Sequence, residues 1–153
     1  MPRGVTGFHV AEQAEGAAEV RVADFKRVCH EAARALGLTL WRFDSAERAV
    51  APSFHVAALR GFDDPVFLLC HRTFPWLALA KASPLPLTPV AFTDHAALGQ
   101  VLAVNERFQL LGADSLERPL TAELLRNLAP VELEQIRYWR PERVGDLIFH
   151  WWD

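Results

Sequence analysis

Six histidines, two cysteines and a scatter of carboxylates are the groups of this chain that could carry chemistry. The histidines are His9, His30, His55, His71, His95 and His150, and two of them directly follow the cysteines, as Cys29-His30 and Cys70-His71. Adjacent side chains diverge on a helix and on a strand alike, whereas zinc sites use spaced pairs such as C-x2-C or H-x3-H. No such spacing occurs, so no metal site is expected. There is no G-x-S-x-G elbow, and no glycine-rich loop able to cradle a phosphate or a dinucleotide, so no cofactor is expected either. Cys29 and Cys70 are expected to be small buried hydrophobes, one in a helix and one in a strand. The remaining catalytic candidates are His71, Asp94 and His95, placed where strands end and where an acid and a base could meet a ligand. Arg72, next to His71, is a candidate for binding an anion at the same edge. Asp94 has a plainer competing role as a helix cap.

The most distinctive string is the ending, Tyr138-Trp139-Arg140-Pro141, Gly145-Asp146 and Phe149-His150-Trp151-Trp152-Asp153. Trp, Tyr and Arg dominate interface hot spots, which makes Trp139, Arg140, Arg143 and Trp152 the candidate interaction residues. Adjacent Trp151 and Trp152 leave a helix in different directions, so one is expected inward and the other toward a partner. The competing role is that large side chains tie down a terminal helix. Residues 138–153 resemble the C-terminal ends of a family of short bacterial proteins of uncharacterised activity, which share a Tyr-Trp-x-Pro, Gly-Asp and Phe-x-x-Trp-Asp pattern. The resemblance implies a bacterial origin and carries no functional residue over.

Charge and composition exclude other classes. The chain has 153 residues, 51% hydrophobic and 23% charged, with ten Phe and five Trp. That is enough to build one core without a disulfide or metal staple. A net charge of −3 and a pI near 6.1 argue against a general nucleic-acid binder. Arginines 126, 137, 140 and 143 beside Trp139 could form a weak basic face, but Glu123, Glu132, Glu134 and Glu142 interleave with them. No apolar run follows Arg3 and none reaches a membrane-spanning length, so the expected location is the cytoplasm, without membrane association.

The elements that must position these residues follow from periodicity. Residues 1–18 are expected to be a loosely ordered lead-in, with a short strand near Phe8–Val10, and residues 19–153 a single α+β domain. Val22, Phe25, Val28, Cys29, Ala32 and Leu36 recur at helical spacing, and Gly37 is placed to close that helix. Leu38–Phe43, Ser53–Leu59, Val66–His71 and Trp76–Ala80 are expected strands joined as an antiparallel meander, the second half-buried and the third covered on both faces. Prolines 84, 86 and 89 make the next stretch an extended crossing segment. A strand at Val90–Phe92, a helix capped by Thr93 or Asp94, and a strand at Phe108–Leu111 form a strand–helix–strand unit. Three helices end the chain, at Ala122–Leu128, at Val131–Tyr138 after Pro130, and from Pro141 through Trp151.

With no catalytic constellation beyond the strand-edge set, the favoured expectation is a non-enzymatic module. It would bind another protein, or a second copy of itself, through an aromatic C-terminal surface. The alternatives are a small enzyme using His71, Asp94 and His95, and a weak nucleic-acid binder.

Overall fold

The computed structural model describes residues 1–8, 20–46 and 52–151. Helix α1 spans Val22–Leu36 and buries Phe25, Val28, Cys29, Ala32 and Ala33. It stops at Gly37, whose φ of 65° is left-handed, and the Leu38 amide closes the turn on Ala33 O at 2.7 Å. Strands β1 (Thr39–Asp44), β2 (Phe54–Arg60), β3 (Val66–His71) and β4 (Trp76–Ala80) then follow, each antiparallel to the one before. The fold is α+β, an N-terminal helix and a meander followed by helices.

Both faces of the sheet are covered, which is why β2 and β3 are buried nearly throughout. The pleat sends Ala57, Leu59, Leu68, Cys70, Leu77 and Leu79 to one side, against α1 and against helix α2 (Ala96–Ala103). It sends Phe54, Val56, Phe67, Leu69 and Ala78 to the other, against residues of the C-terminal helices. The alternation in Ser53–Leu59 predicts a half-buried strand. Instead its small residues, Ala57 and Ala58, let helices approach both faces.

The strand–helix–strand unit exists without direct pairing of its strands. Strand β5 (Phe92–Thr93) runs antiparallel to β4 at Leu79–Ala80, whereas β6 (Gln109–Leu110) runs parallel to it at Trp76–Leu77. Two short strands thus share one edge of β4 in succession. The cap of α2 is His95, whose Nδ1 accepts from Leu98 N at 3.4 Å, and not Thr93 or Asp94. Asp94 instead accepts from Ala113 N at 3.0 Å, at the start of helix α3 (Ala113–Glu117), an element that periodicity does not announce.

Helix α4 (Ala122–Leu125) is capped by Thr121, and α5 (Pro130–Trp139) has Pro130 in its first turn. The last helix, α6, covers only Val144–Ile148. It does not start at Pro141, because the chain first runs extended there: Leu120 N donates to Glu142 O, Val144 N to Arg118 O, and Pro119 bridges to Arg143. It ends before Phe149, so Trp151 lies beyond the helix.

Within the expected lead-in, part of residues 1–8 packs against the domain. Gly4, Val5 and Thr6 are buried, and Arg3 Nε donates to Asn127 O at 3.1 Å. Phe8 joins no strand, while Val10 and the remainder of the lead-in through residue 18 lie outside the described residues. No helix of the described residues is long and apolar enough to cross a membrane.

Candidate functional site

The cleft at the C-terminal end of α5 is built by a stop in the chain. Pro141 disfavours helical geometry at the residue before it, and Arg140 takes up a left-handed conformation (φ 50°, ψ 53°) with its amide on Ile136 O at 2.8 Å. The bend expected at Trp139-Arg140-Pro141 is therefore present. The returning chain forms one wall with Trp139–Arg143, Asp146 and Phe149–Trp151. The proline segment supplies the other, Leu87–Val90. Between them lies an open cleft of about 490 Å³, within the range of ligand-binding pockets.

Arg143 is the latch that holds the walls together. Its Nη1 donates to both carboxylate oxygens of Glu117 at 2.7 and 2.6 Å, and its Nη2 to Asp146 Oδ1 at 2.6 Å and Val90 O at 3.3 Å. Its Nε donates to Asp146 Oδ2 at 3.0 Å, and the guanidinium carbon stands 5.7 Å from the Phe92 ring centre. The hydrogen bond to Asp146, and then that to Glu117, hold this guanidinium protonated above its ordinary range. Such a saturated fork has a positioning role. Arg143 is thus committed inside the molecule, whereas Arg140 is exposed at the cleft.

Aromatic side chains line the rest. Trp139 meets Tyr138 and His150 edge-on, with centroids 5.1 and 5.8 Å apart. Trp151 meets Phe54 edge-on at 5.8 Å, and its Nε1 is buried without an acceptor among the described residues. Burial pushes the His150 imidazole below its ordinary value. Ser53 clamps the floor: its amide donates to His150 O, its hydroxyl to Ile148 O, and the His150 amide returns to Ser53 Oγ. The cleft is open to solvent, and Leu87 in its wall is 78% exposed.

The backbone at this cleft is unusual. Among the described residues, Leu87 (φ 59°) and Arg140 (φ 50°) are the two non-glycine residues with left-handed backbone, and both line it. Such conformations cost roughly 1–2 kcal/mol each and concentrate at functional positions.

The strand-edge residues are not brought together. His71 is fully buried at the far end of β3, where Nε2 bonds Val5 O at 2.8 Å and Nδ1 accepts from Thr73 N and Phe74 N at 3.1 and 3.0 Å. That pattern assigns the proton to Nε2. Burial lowers its pKa to about 4, so the ring is neutral at pH 7. His95 lies against Phe62, in the turn that enters β3, with the rings tilted and their centres 4.0 Å apart. The strand between them is six residues long, roughly 16 Å at the rise of extended chain. Asp94 stays beside His95 at α3, and Arg72 is half-buried next to His71. Burial pushes both cysteine thiols up, Cys29 and Cys70 alike, away from thiolate chemistry. Among the described residues no group of three His, Cys, Asp or Glu side chains could hold a metal ion.

Of the interaction candidates, the fold brings Trp139, Arg140 and Arg143 to one cleft, while Trp152 lies outside the described residues. The Leu87–Val90 wall and the part of Asp146 are missing from the sequence expectations. Three prolines identify an extended segment, but nothing in their spacing tells which surface it lies against. No protein-family model, no curated protein and no solved structure matches the chain.

Proposed function

We propose that this chain is a bacterial, cytoplasmic, non-enzymatic interaction module that holds an extended apolar segment of a partner protein in the α5–α6 cleft. The observation that carries the reading is the cleft itself: an aromatic wall, the Arg143 latch, and Leu87 left exposed on the facing wall. Concave sites lined by aromatic and apolar groups with a few polar ones are where binding concentrates. Trp139 is the natural anchor, since buried indoles at the centre of an interface lose most on truncation. Arg140, exposed and at the cleft, supplies a polar contact at the edge.

The test is recovery of partners from a bacterial lysate under crosslinking, together with mass-measured chromatography of the purified chain. Trp139→Ala is expected to weaken capture by at least about tenfold, the effect of removing a hot spot of ~1.4 kcal/mol or more. Leu87→Ser is expected to weaken it less. Val104→Ser serves as the control, because Val104 is 81% exposed at the end of α2, away from the cleft. Equal capture by wild type and Trp139→Ala, or a wild-type monomer that captures nothing, would sink the proposal. A dimer mass lost in Trp139→Ala would identify the partner as a second copy.

A further inference from the structure

Residues 4–6 are held from two sides by groups far away in sequence. On one side, the Glu132 carboxylate is completely buried, and its Oε1 accepts from Gly4 N at 3.1 Å, Thr6 N at 3.2 Å and Thr6 Oγ1 at 2.8 Å. On the other, the His71 ring donates from Nε2 to Val5 O at 2.8 Å. The same ring accepts two backbone amides at Nδ1, which leaves it no room for a second proton. The strap is thus held, on this side, by an imidazole that must stay neutral to keep its seat.

We infer that Gly4–Thr6 is a proton-released strap: protonation of His71 frees it at Val5, and the strap then opens as one unit, its Glu132 bonds included, while the sheet remains folded. An imidazolium would point a second N–H at the Thr73 and Phe74 amides, donor against donor, so the ring must leave its seat. Its bond to Val5 O then breaks. The charged or titratable groups whose field reaches the ring are His55, on the opposite face of β2, and Arg72, next after His71 in the chain, and both oppose a positive charge there. The other neighbours, Val5, Phe74, Trp76 and Phe149, are uncharged. Detachment empties the Val5 seat in the core and releases the His71 ring from its contacts with Phe74 and Trp76, whose ring centres lie 5.4 and 5.9 Å away.

The sign follows from linkage. With the strap closed the ring takes a proton only near pH 4, and with it open near the ordinary 6.5. Between those values the open form binds more protons, so the opening equilibrium rises roughly tenfold for each pH unit lost. Amide exchange by NMR on the full chain, between about pH 7 and about pH 4 and corrected for intrinsic rates, tests it. The expected result is a loss of protection at Gly4 and Thr6, roughly tenfold per pH unit, while amides of β2 and β3 keep theirs. In His71→Gln, which keeps a donor for Val5 and takes no proton, the strap's pH dependence is expected to vanish. Strap and sheet amides losing protection together would overturn the inference, as would strap protection unchanged while the His71 ring titrates. The same holds if His71→Gln retains the transition. The wild-type measurement stands by itself if that variant does not fold.

Discussion

Gly145→Ala is expected to destabilise the domain by about 3 kcal/mol, the upper end for overpacking a tight contact. A methyl at this position would overlap Phe92 Cε2, stand 2.7 Å from Phe92 Cζ and lie 3.1 Å from Leu116 O. The carbonyl belongs to α3 and cannot yield without moving that helix. Phe92 cannot swing freely either, since it lies against Phe149 at 5.9 Å and under the Arg143 guanidinium. Thermal unfolding should therefore fall by roughly 6–12 °C for a chain of this size. Partner capture should fall with it, because the displaced ring supports the latch beneath the cleft. The combination with Phe92→Leu should recover part of the loss, a coupling that a double-mutant cycle would register. A single variant within ~0.5 kcal/mol of wild type would show that α6 can move away from α3 at little cost.

The second large effect is expected at Glu132. Replacement by Ala leaves Gly4 N, Thr6 N, Thr6 Oγ1 and Ala129 N without their acceptor in a site closed to solvent. Each orphaned donor costs about 1–3 kcal/mol, and water entering the vacated space offsets part of that. A net loss of about 4 kcal/mol is expected, less than the full cost of four orphaned donors. Glu132→Gln should cost less, because one carbonyl oxygen remains to accept from the strap. Urea denaturation of the three proteins decides the matter. If Ala and Gln variants unfold at the same midpoint, the strap bonds add nothing beyond the Ala129 contact.

Both effects sit on residues whose surroundings no local pattern describes. Glu132 has the spacing of an ordinary acid in a first helical turn, and it does accept from Ala129 N at 3.0 Å. Its other oxygen is satisfied from 126 to 128 residues away. Gly145 followed by Asp146 has the look of a turn or a recognition motif. The structure gives it a packing reason: the glycine admits Phe92, and the aspartate carboxylate holds the Arg143 amide and guanidinium together. Likewise, the adjacency of His71 and Arg72 at a strand end suggests a site open to ligand. The closure of that end by Val5 comes from the far N-terminal side of the chain.

The candidate interaction residues were legible by type, because Trp and Arg crowd the last sixteen positions of the sequence. Their shared cleft was not, since one of its two walls comes from Leu87–Val90, about fifty residues earlier. Pro141 announces the bend at Arg140, a strictly local effect of the pyrrolidine ring. It does not announce that the chain then pairs with Pro119 before α6 begins.

By itself the sequence determined α1, its glycine stop, the four-stranded meander and the proline start of α5. Each of these rests on periods and caps that act within a few residues. Only the tertiary structure decided that both faces of β2 are buried, that β6 runs parallel to β4, and that His71 and His95 stand at opposite ends of β3. It alone decided, too, that the aromatic ending folds against a proline segment to leave a cleft. The physical reason is one of range. Backbone geometry and amphipathic spacing are settled between near neighbours, while burial, hydrogen-bond partnership and charge environment depend on which distant segments come to lie together.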